Sequence, residues 1–339
     1  MNDVRSNRNI EYKYNNDNVS FNEVRSLLIK AFGGRSIDSI DDVRKAFLNS
    51  SHVIYAYDNN QLIGFARAIS DIEWSVIYNV VVDPDYQSLG IGKEILNRLV
   101  LSLENRHIFA YTHPRTISFY EHLGFKRSKM AFKYVFEDEK EKINQMEHLG
   151  FFLPNGYQFE NEIKEIKKEK KEKRDLSIEY RNTLSEIDYI ELNQLLENAF
   201  KHERNLDLTK KEFEGSTYVS FAYIDGKLVG CARLITDGVH EAILLNVAVK
   251  DEYQGYGIAR NIIKNLANQA KGYDIFIHAN PKSYSFYNTH SEFKRYKTAF
   301  AYISINEPDN NDFFLPNGYR HIDEYYNLDI KYYKGKILD

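Results

Sequence analysis

The chain of 339 residues carries 45 Lys and Arg against 49 Asp and Glu, a net charge of −4 that leaves no basic excess for bulk nucleic-acid binding. Its single cysteine excludes a disulfide framework and a cysteine-rich zinc module. At 43% hydrophobic, with no apolar run near about 20 residues and an N-terminal MNDVRSNRNIEYKY lacking an apolar centre, a cytoplasmic protein of two ordinary cores is expected.

The chain repeats itself. Ile10–Tyr12 returns at Ile178–Tyr180, Leu62–Arg67 at Leu228–Arg233, Tyr86–Ile91 at Tyr253–Ile258, and Phe119–Tyr120 at Phe286–Tyr287. The offset stays at 166–168 residues and shortens only at the last repeat, the identical string PhePheLeuProAsnGlyTyr at Phe151–Tyr157 and Phe313–Tyr319. Repeats of this size are whole domains rather than solenoid units. The expected organisation is one domain over 1–160, a charged linker over 161–175 and a second domain over 176–339. The Lys/Glu-interleaved composition of the linker fits a solvated segment better than a nucleic-acid or membrane patch.

In chain order, Val24, Leu27, Leu28 and Ala31 have the spacing of an amphipathic helix. His52–Tyr57 and Leu62–Ile69 predict two strands around an AspAsnAsn turn. The second copy has the same hairpin at Tyr218–Tyr223 and Leu228–Ile235 around Asp225–Gly226. A β run at Val76–Val82 or Ala242–Val249 leads into a glycine-bearing loop. Ile91, Ile95 and Leu99, matched by Ile258, Ile262 and Leu266, mark a buried helical face. Strands at His107–Tyr111 and Tyr273–His278, a short helix ending near PheTyr, and last β segments around Ala131–Phe136 and Ala299–Ile305 complete each copy. Each half is therefore expected to be an α/β (α+β type) unit with a mixed, mostly antiparallel sheet flanked by helices.

The glycine-bearing junctions run Val80–Gly92 and Val247–Ala259. Glycine lets backbone approach a ligand, and the helix start behind it points several N–H groups at a pyrophosphate. Neither copy has Gly-x-Gly-x-x-Gly, and Gly92–Lys93 is followed by Glu94, so neither a dinucleotide fingerprint nor a Walker loop is present. Both copies match Gln/Arg-x-x-Gly-x-Gly/Ala after a strand ending Val-x-Val, and in this the sequence resembles the GNAT superfamily of N-acetyltransferases. The resemblance covers nearly the whole chain as two tandem domains. It implies that Gln87, Ser88, Leu89, Gly90, Ile91 and Gly92, and Gln254, Gly255, Tyr256, Gly257, Ile258 and Ala259, grip the pyrophosphate of acetyl-CoA. It further implies that Val80, Val81 and Val82, with Val247, Ala248 and Val249, offer backbone groups to the pantetheine arm from a splayed or bulged strand. Asn79 and Asn246, which interrupt apolar strands at equivalent places, fit such a bulge.

A second family feature is Asn-x-x-x-x-x-Phe/Leu-Tyr. Asn280 leads to Phe286–Tyr287 in full, whereas His113 replaces the asparagine before Phe119–Tyr120. The resemblance makes Tyr120 and Tyr287 candidate acids for the departing thiolate and assigns His113 and Asn280 to coenzyme binding. The helix exit His122–Phe125 keeps the family's GlyPhe, while His290–Phe293 has Glu292 instead, implying a reshaped exit.

A base is needed because ammonium groups near pKa 10 must lose a proton before attack. Candidates are Asp71 and Asp237, each just after AlaArg-x-Ile-Ser/Thr, together with Glu73 and Glu241. Arg67 and Arg233 in the same motif are substrate-facing or structural. Cys231 stands where Phe65 stands and is expected to be a buried small residue. His52, His107 and His278 are expected to pack on strands, and no histidine spacing suggests a metal. The acceptor-side segments Phe32–Phe47 and Phe200–Phe213 differ most between copies, and Asp38, Asp41 and Asp42 fit solvated helix surface better than a polyamine site. The implied activity is acetyl transfer from acetyl-CoA to a primary amine of a small or amino-acid-like acceptor, without metal, nucleic acid or membrane. A non-catalytic acyl-CoA-binding module is the alternative.

Overall fold

The computed structural model describes residues 9–32, 39–103, 106–154, 157, 176–302, 313–316, 319 and 321; the expected linker over 161–175 lies outside them. The first half begins with strand β1 (Ile10–Lys13), helices α1 (Phe21–Phe32) and α2 (Ile40–Leu48), and strands β2 (His52–Asp58), β3 (Gln61–Ser70) and β4 (Trp74–Val82). It continues with α3 (Ile91–Ser102), β5 (His107–Tyr111), α4 (Ile117–Glu121), β6 (Phe125–Arg127), β7 (Ala131–Tyr134) and α5 (Lys140–His148). The second half repeats this order as β8 (Glu179–Arg181), α6 (Tyr189–Phe200), α7 (Leu206–Glu214), β9 (Tyr218–Ile224), β10 (Lys227–Thr236) and β11 (Glu241–Val249). Then follow α8 (Ile258–Gln269), β12 (Asp274–His278), α9 (Tyr284–Thr289), β13 (Phe293–Arg295) and β14 (Ala299–Tyr302).

Local chemistry accounts for these elements. Asn59 and Asn60 both take positive φ, as do Asp225 and Gly226, so each hairpin turns through the two-residue geometry whose twist suits its strands. Helix α2 starts at Ser39, whose hydroxyl accepts from the Asp42 N–H at 3.1 Å, and α7 starts at Asn205, which accepts from Leu208. Asp41 and Asp42 thus sit in the first turn of a helix, where the dipole favours acids, while Asp38 lies outside the described residues. Helix α3 buries Ile91, Ile95 and Leu99 together with Leu96 and Val100. No helix among the described residues is long and apolar enough to cross a membrane.

The sheets do not follow the boundaries expected from the repeat. One seven-stranded sheet runs β1-β2-β3-β4-β5-β14-β6 and the other β13-β7-β12-β11-β10-β9-β8. Each half therefore gives one strand to its partner: β14 of the second half lies between β5 and β6, and β7 of the first half lies between β12 and β13. Contiguous units over 1–160 and 176–339 would each lack a strand inside the sheet. Phe132 and Phe300, central in the exchanged strands, are both fully buried.

The repeated PhePheLeuProAsnGlyTyr string crosses in the same reciprocal way. Leu153 N–H donates to the Arg295 carbonyl and Leu315 N–H to that of Arg127, both at 2.9 Å. Buried Arg127 returns two bonds to the Lys297 carbonyl, and Arg295 one to Lys129. Between the sheets a shared core gathers Val76, Tyr78 and Phe109 from one half and Ile243, Leu245, Phe276 and Tyr296 from the other.

Candidate active site

Strands β4 and β5 run parallel and pair only as far as Ile77↔Ala110. Asn79 then takes a left-handed φ of 49°, and the register against β3 shifts between Phe65 and Arg67. Beyond this bulge Val81 and Val82 still pair with β3, but no pairing with β5 is present on their other edge. The second half does the same: β11 pairs with β12 as far as Leu244↔Ile277, Asn246 has φ 52°, and Val249 pairs with Gly230 of β10 alone. Each half thus opens a V in its sheet beside Val80–Val82 or Val247–Val249, with strand backbone facing the gap. An extended amide-bearing chain fits such an edge as an added strand would.

The bulges are held by arginines. Arg67 donates from Nε to Asn79 Oδ1, and Arg233 likewise to Asn246 Oδ1. Both guanidiniums are buried and both reach across the interface: Arg67 to Asp237 at 2.9 Å and Arg233 to Asp71. This resolves the two roles left open for these arginines in favour of structure. It also gives Asp71 and Asp237 a job other than the expected one. Asp71 Oδ1 accepts from the Glu73 and Trp74 N–H groups, and Asp237 Oδ1 from those of Val239, His240 and Glu241, while each Oδ2 holds the opposite half's arginine. A carboxylate with both oxygens so engaged organises the start of β4 or β11 and is not poised to take a proton from an amine. Glu73 lies at the rim, 4.0 Å from Arg204.

At the mouth of each gap stands the glycine-bearing loop. In the first, Gln87 Nε2 donates to the Val82 carbonyl, Ser88 has φ 62°, and Leu89 is exposed. Gly90, with φ 84°, caps α3 without a side-chain bond, so the N–H groups of Ile91, Gly92 and Lys93 begin the helix with no intrahelical acceptor. In the second, Gln254 donates to the Val249 carbonyl, Gly255 and Gly257 have φ 90° and 79°, and Gly257 caps α8 in the same way ahead of Ile258 and Ala259. Tyr256 packs partly buried against the second core. A Cβ on Gly90, Gly255 or Gly257 would meet nothing within 4 Å, so these glycines serve the left-handed turn and leave clear space outside it. Gly92 differs, because its Cβ would lie 3.4 Å from Val82 and 3.5 Å from Phe119. Two free helix starts, each beside an open strand edge, suit a pyrophosphate followed by an extended arm.

The tyrosines lie behind these loops. Tyr120 is buried and stacks on Phe300 of the exchanged strand at 5.4 Å, edged by Phe119 and Phe125. Tyr287 is buried against Phe132 of the other exchanged strand at 5.5 Å, with Phe286 and Phe293 edge-on. Burial drives both phenols above their ordinary pKa, which keeps them protonated. Sequence reasoning had no signal for Phe300 and Phe132 here, since each comes from the opposite half. His113 does the work of Asn280: its Nδ1 accepts from the Arg115 N–H at 3.1 Å, as Asn280 Oδ1 accepts from Lys282 at 2.7 Å. Gly124 takes the left-handed φ of 84° at the first helix exit. Glu292 instead pairs with Arg260 of α8 and offers its carbonyl to Val135, beside exchanged strand β7.

Cys231 is fully buried, its thiol pushed up to about 12 by desolvation. His278 is held neutral by burial, at about 3, with Nε2 2.7 Å from Ser128 Oγ.

Residues 49–127 match the family described as Acetyltransferase (GNAT) domain, and residues 181–291 match the Acetyltransferase (GNAT) family. The uncharacterized N-acetyltransferase ycf52 of Pyropia yezoensis is 33% identical over 133 residues, covering 37% of this chain and 75% of that protein. Its counterpart from Porphyra purpurea matches to the same extent. Among solved structures, a tandem GNAT protein from the clavulanic acid biosynthesis pathway superposes with a TM-score of 0.51 at 12% identity, over 89% of this chain and all of that one. At that identity the likeness concerns the fold.

Proposed function

From the premise that this chain belongs to the GNAT family of acetyltransferases and carries two such domains in tandem, we propose that it transfers the acetyl group of acetyl-CoA directly to a primary amine of a small or amino-acid-like acceptor. The observation that carries the reading is the coincidence, twice over, of an uncapped helix start and an unpaired strand edge behind a bulge. The N–H groups after Gly90 and Gly257 would bind the pyrophosphate, and Val80–Val82 and Val247–Val249 the pantetheine amides. A strand N–H at the bulge is suited to polarise the thioester carbonyl. The uncharged amine nitrogen attacks that carbonyl carbon, the C–N bond forms as the C–S bond breaks, Tyr120 or Tyr287 gives its proton to the leaving thiolate, and the proton shed by the nitrogen returns to the phenolate through solvent.

Thermal-shift titration with acetyl-CoA tests the coenzyme reading, because a ligand of the native state must raise its apparent stability. No shift at millimolar coenzyme rejects it. Gly90→Glu and Gly257→Glu, which put bulk and negative charge into one loop each, are expected to remove one coenzyme equivalent per chain. The deep burial of both tyrosines favours a second reading, a non-catalytic acyl-CoA-binding module. In that case Tyr120→Phe and Tyr287→Phe leave any trace turnover unchanged, whereas the enzyme loses most of its rate.

A further inference from the structure

Three side-chain oxygens buried between the halves have no hydrogen-bond partner among the described residues: Tyr78 Oη, Tyr111 Oη and Glu241 Oε2. Buried polar atoms are nearly always satisfied, so three in one place need a cause. Tyr78 is the residue before the Asn79 bulge and Tyr111 the last of β5, so both stand where the first half's sheet opens. Both face the second half, for the Tyr111 ring stacks on Phe276 at 4.3 Å and the Tyr78 ring lies 6.4 Å from it. Phe276 pairs with Ile243, and Glu241, two residues earlier on β11, leaves that strand on the same face. After burial, the Glu241 charge is the largest influence raising the Tyr78 hydroxyl, as expected for neighbours.

The charged groups around Glu241 are Asp274 and Asp237, which oppose its ionisation, and Arg67 and Lys142, which favour it. Arg67 is committed to Asp237 and Asn79, and Lys142 to Asp274 and Glu139, so neither cation pairs with Glu241. Tyr78 is only 7% exposed, whereas Tyr111 and Glu241 are half-buried as residues, with their unpartnered oxygens shielded from solvent.

The equivalent place in the second half is different. Leu245 stands for Tyr78, His278 for Tyr111 and Trp74 for Glu241. Phe109 stacks on Trp74 at 5.5 Å and on His278 at 4.0 Å, and the His278 ring is already bonded to Ser128. This aromatic stack offers no carboxyl group.

We propose that the acceptor site belongs to the first half alone: Glu241, contributed by the second half, and the Tyr78 and Tyr111 hydroxyls receive the ammonium of a small primary amine, while Trp74, Phe109 and His278 fill the matching place in the second half. The proposal rests on the acetyl-transfer reading for what happens to the amine next, but not for its binding. Isothermal titration of the full chain with n-butylamine and with 1,4-diaminobutane, each with and without acetyl-CoA, tests it, with n-butanol as the neutral control. One amine per chain is expected, weakened at least tenfold by Glu241→Gln and several-fold by Tyr78→Phe, with butanol not binding. In turnover, Glu241→Gln should raise the acceptor KM and leave the acetyl-CoA KM unchanged. Two amines per chain, unchanged affinity in Glu241→Gln, or no binding to about 10 mM overturns the proposal. If acetyl-CoA stabilises the protein while the amine fails these tests, this inference falls and acetyl transfer stands. If the amine binds as described and acetyl-CoA does not, acetyl transfer falls instead.

Discussion

Asp237→Asn separates a structural from a catalytic carboxylate. The Asp237 side chain is 1% exposed and that of its partner Arg67 4%, and their closest atoms are 2.9 Å apart. An asparagine Oδ1 can still accept from the Val239, His240 and Glu241 N–H groups, so the turn before β11 keeps its bonds. What disappears is the charge opposite a buried guanidinium, and the new amide sets a donor against a donor. Removing one partner of a buried pair costs about 3–5 kcal/mol. At roughly 2–4 °C per kcal/mol, Tm should fall by about 6–20 °C, toward the lower end for a chain this long. Thermal unfolding at pH 7 of wild type, Asp237→Asn, Arg67→Met and the double variant Arg67→Met/Asp237→Asn measures this. The double variant should be less destabilised than the sum of the two single variants, because it keeps the Oδ1 acceptor for the three backbone N–H groups and leaves neither charge of the pair buried alone. A single variant within about 2 °C of wild type would refute the reasoning. So would an Asp237→Asn protein that is fully folded and saturable with acetyl-CoA yet unable to acetylate, since that pattern belongs to a base.

The carboxyl of Glu241 is pushed up to about 8, chiefly by burial and then by Asp274 and Asp237. Its folded pKa is above its unfolded one, so its stabilising protonated form is fully present below the ordinary carboxylate range and is lost as pH rises toward 8. The Tm advantage of Glu241→Gln over wild type should therefore grow from pH 5 to 8 and then level off; a difference constant with pH contradicts it. Phe300→Ala and Phe132→Ala should each cost about 3–5 kcal/mol in denaturant titrations. Phe300→Ala should also loosen coenzyme binding at the first loop although residue 300 belongs to the second repeat, and loss confined to the second loop would count against the exchange. A fragment of residues 1–160 lacks β14 and should aggregate or pair with a second copy through its own β7. A stable monomer in sedimentation would show that the strand is dispensable.

Much of the site was legible locally. Spacing marked the two loops, turn residues marked both hairpins, and Asn79 and Asn246 marked bulges whose left-handed φ asparagine tolerates. The β1 and β8 strands were visible only as a repeated IleGluTyr, too short for a periodic pattern. The cross-domain pairing of Asp71 and Asp237 was not legible, because a strand-end aspartate looks the same whether it faces a substrate or an arginine from another domain. The convergence of the unpartnered oxygens of Tyr78, Tyr111 and Glu241 left no trace, since Glu241 stands 163 residues beyond Tyr78 and 130 beyond Tyr111.

Duplication, the hairpins and the turn-to-helix junction of both loops follow from the sequence alone, because each depends on a repeated string or on neighbours within a turn or a hairpin. Which sheet receives which last strand does not. Ala131–Tyr134 reads AlaPheLysTyr and Ala299–Tyr302 reads AlaPheAlaTyr, so either strand would fill either gap with the same buried phenylalanine. Arg67 and Arg233, and Asp71 and Asp237, are likewise equivalent, and pairing within or between halves would balance the same charges. Burial of the phenylalanines is indifferent to that choice, whereas the buried Lys133 of β7 finds a carboxylate partner in Asp274 of β12, at 3.1 Å, where β5 offers His107. The tertiary structure decides it through the packing of one sheet on the other, and so joins two copies of a domain into a single unit.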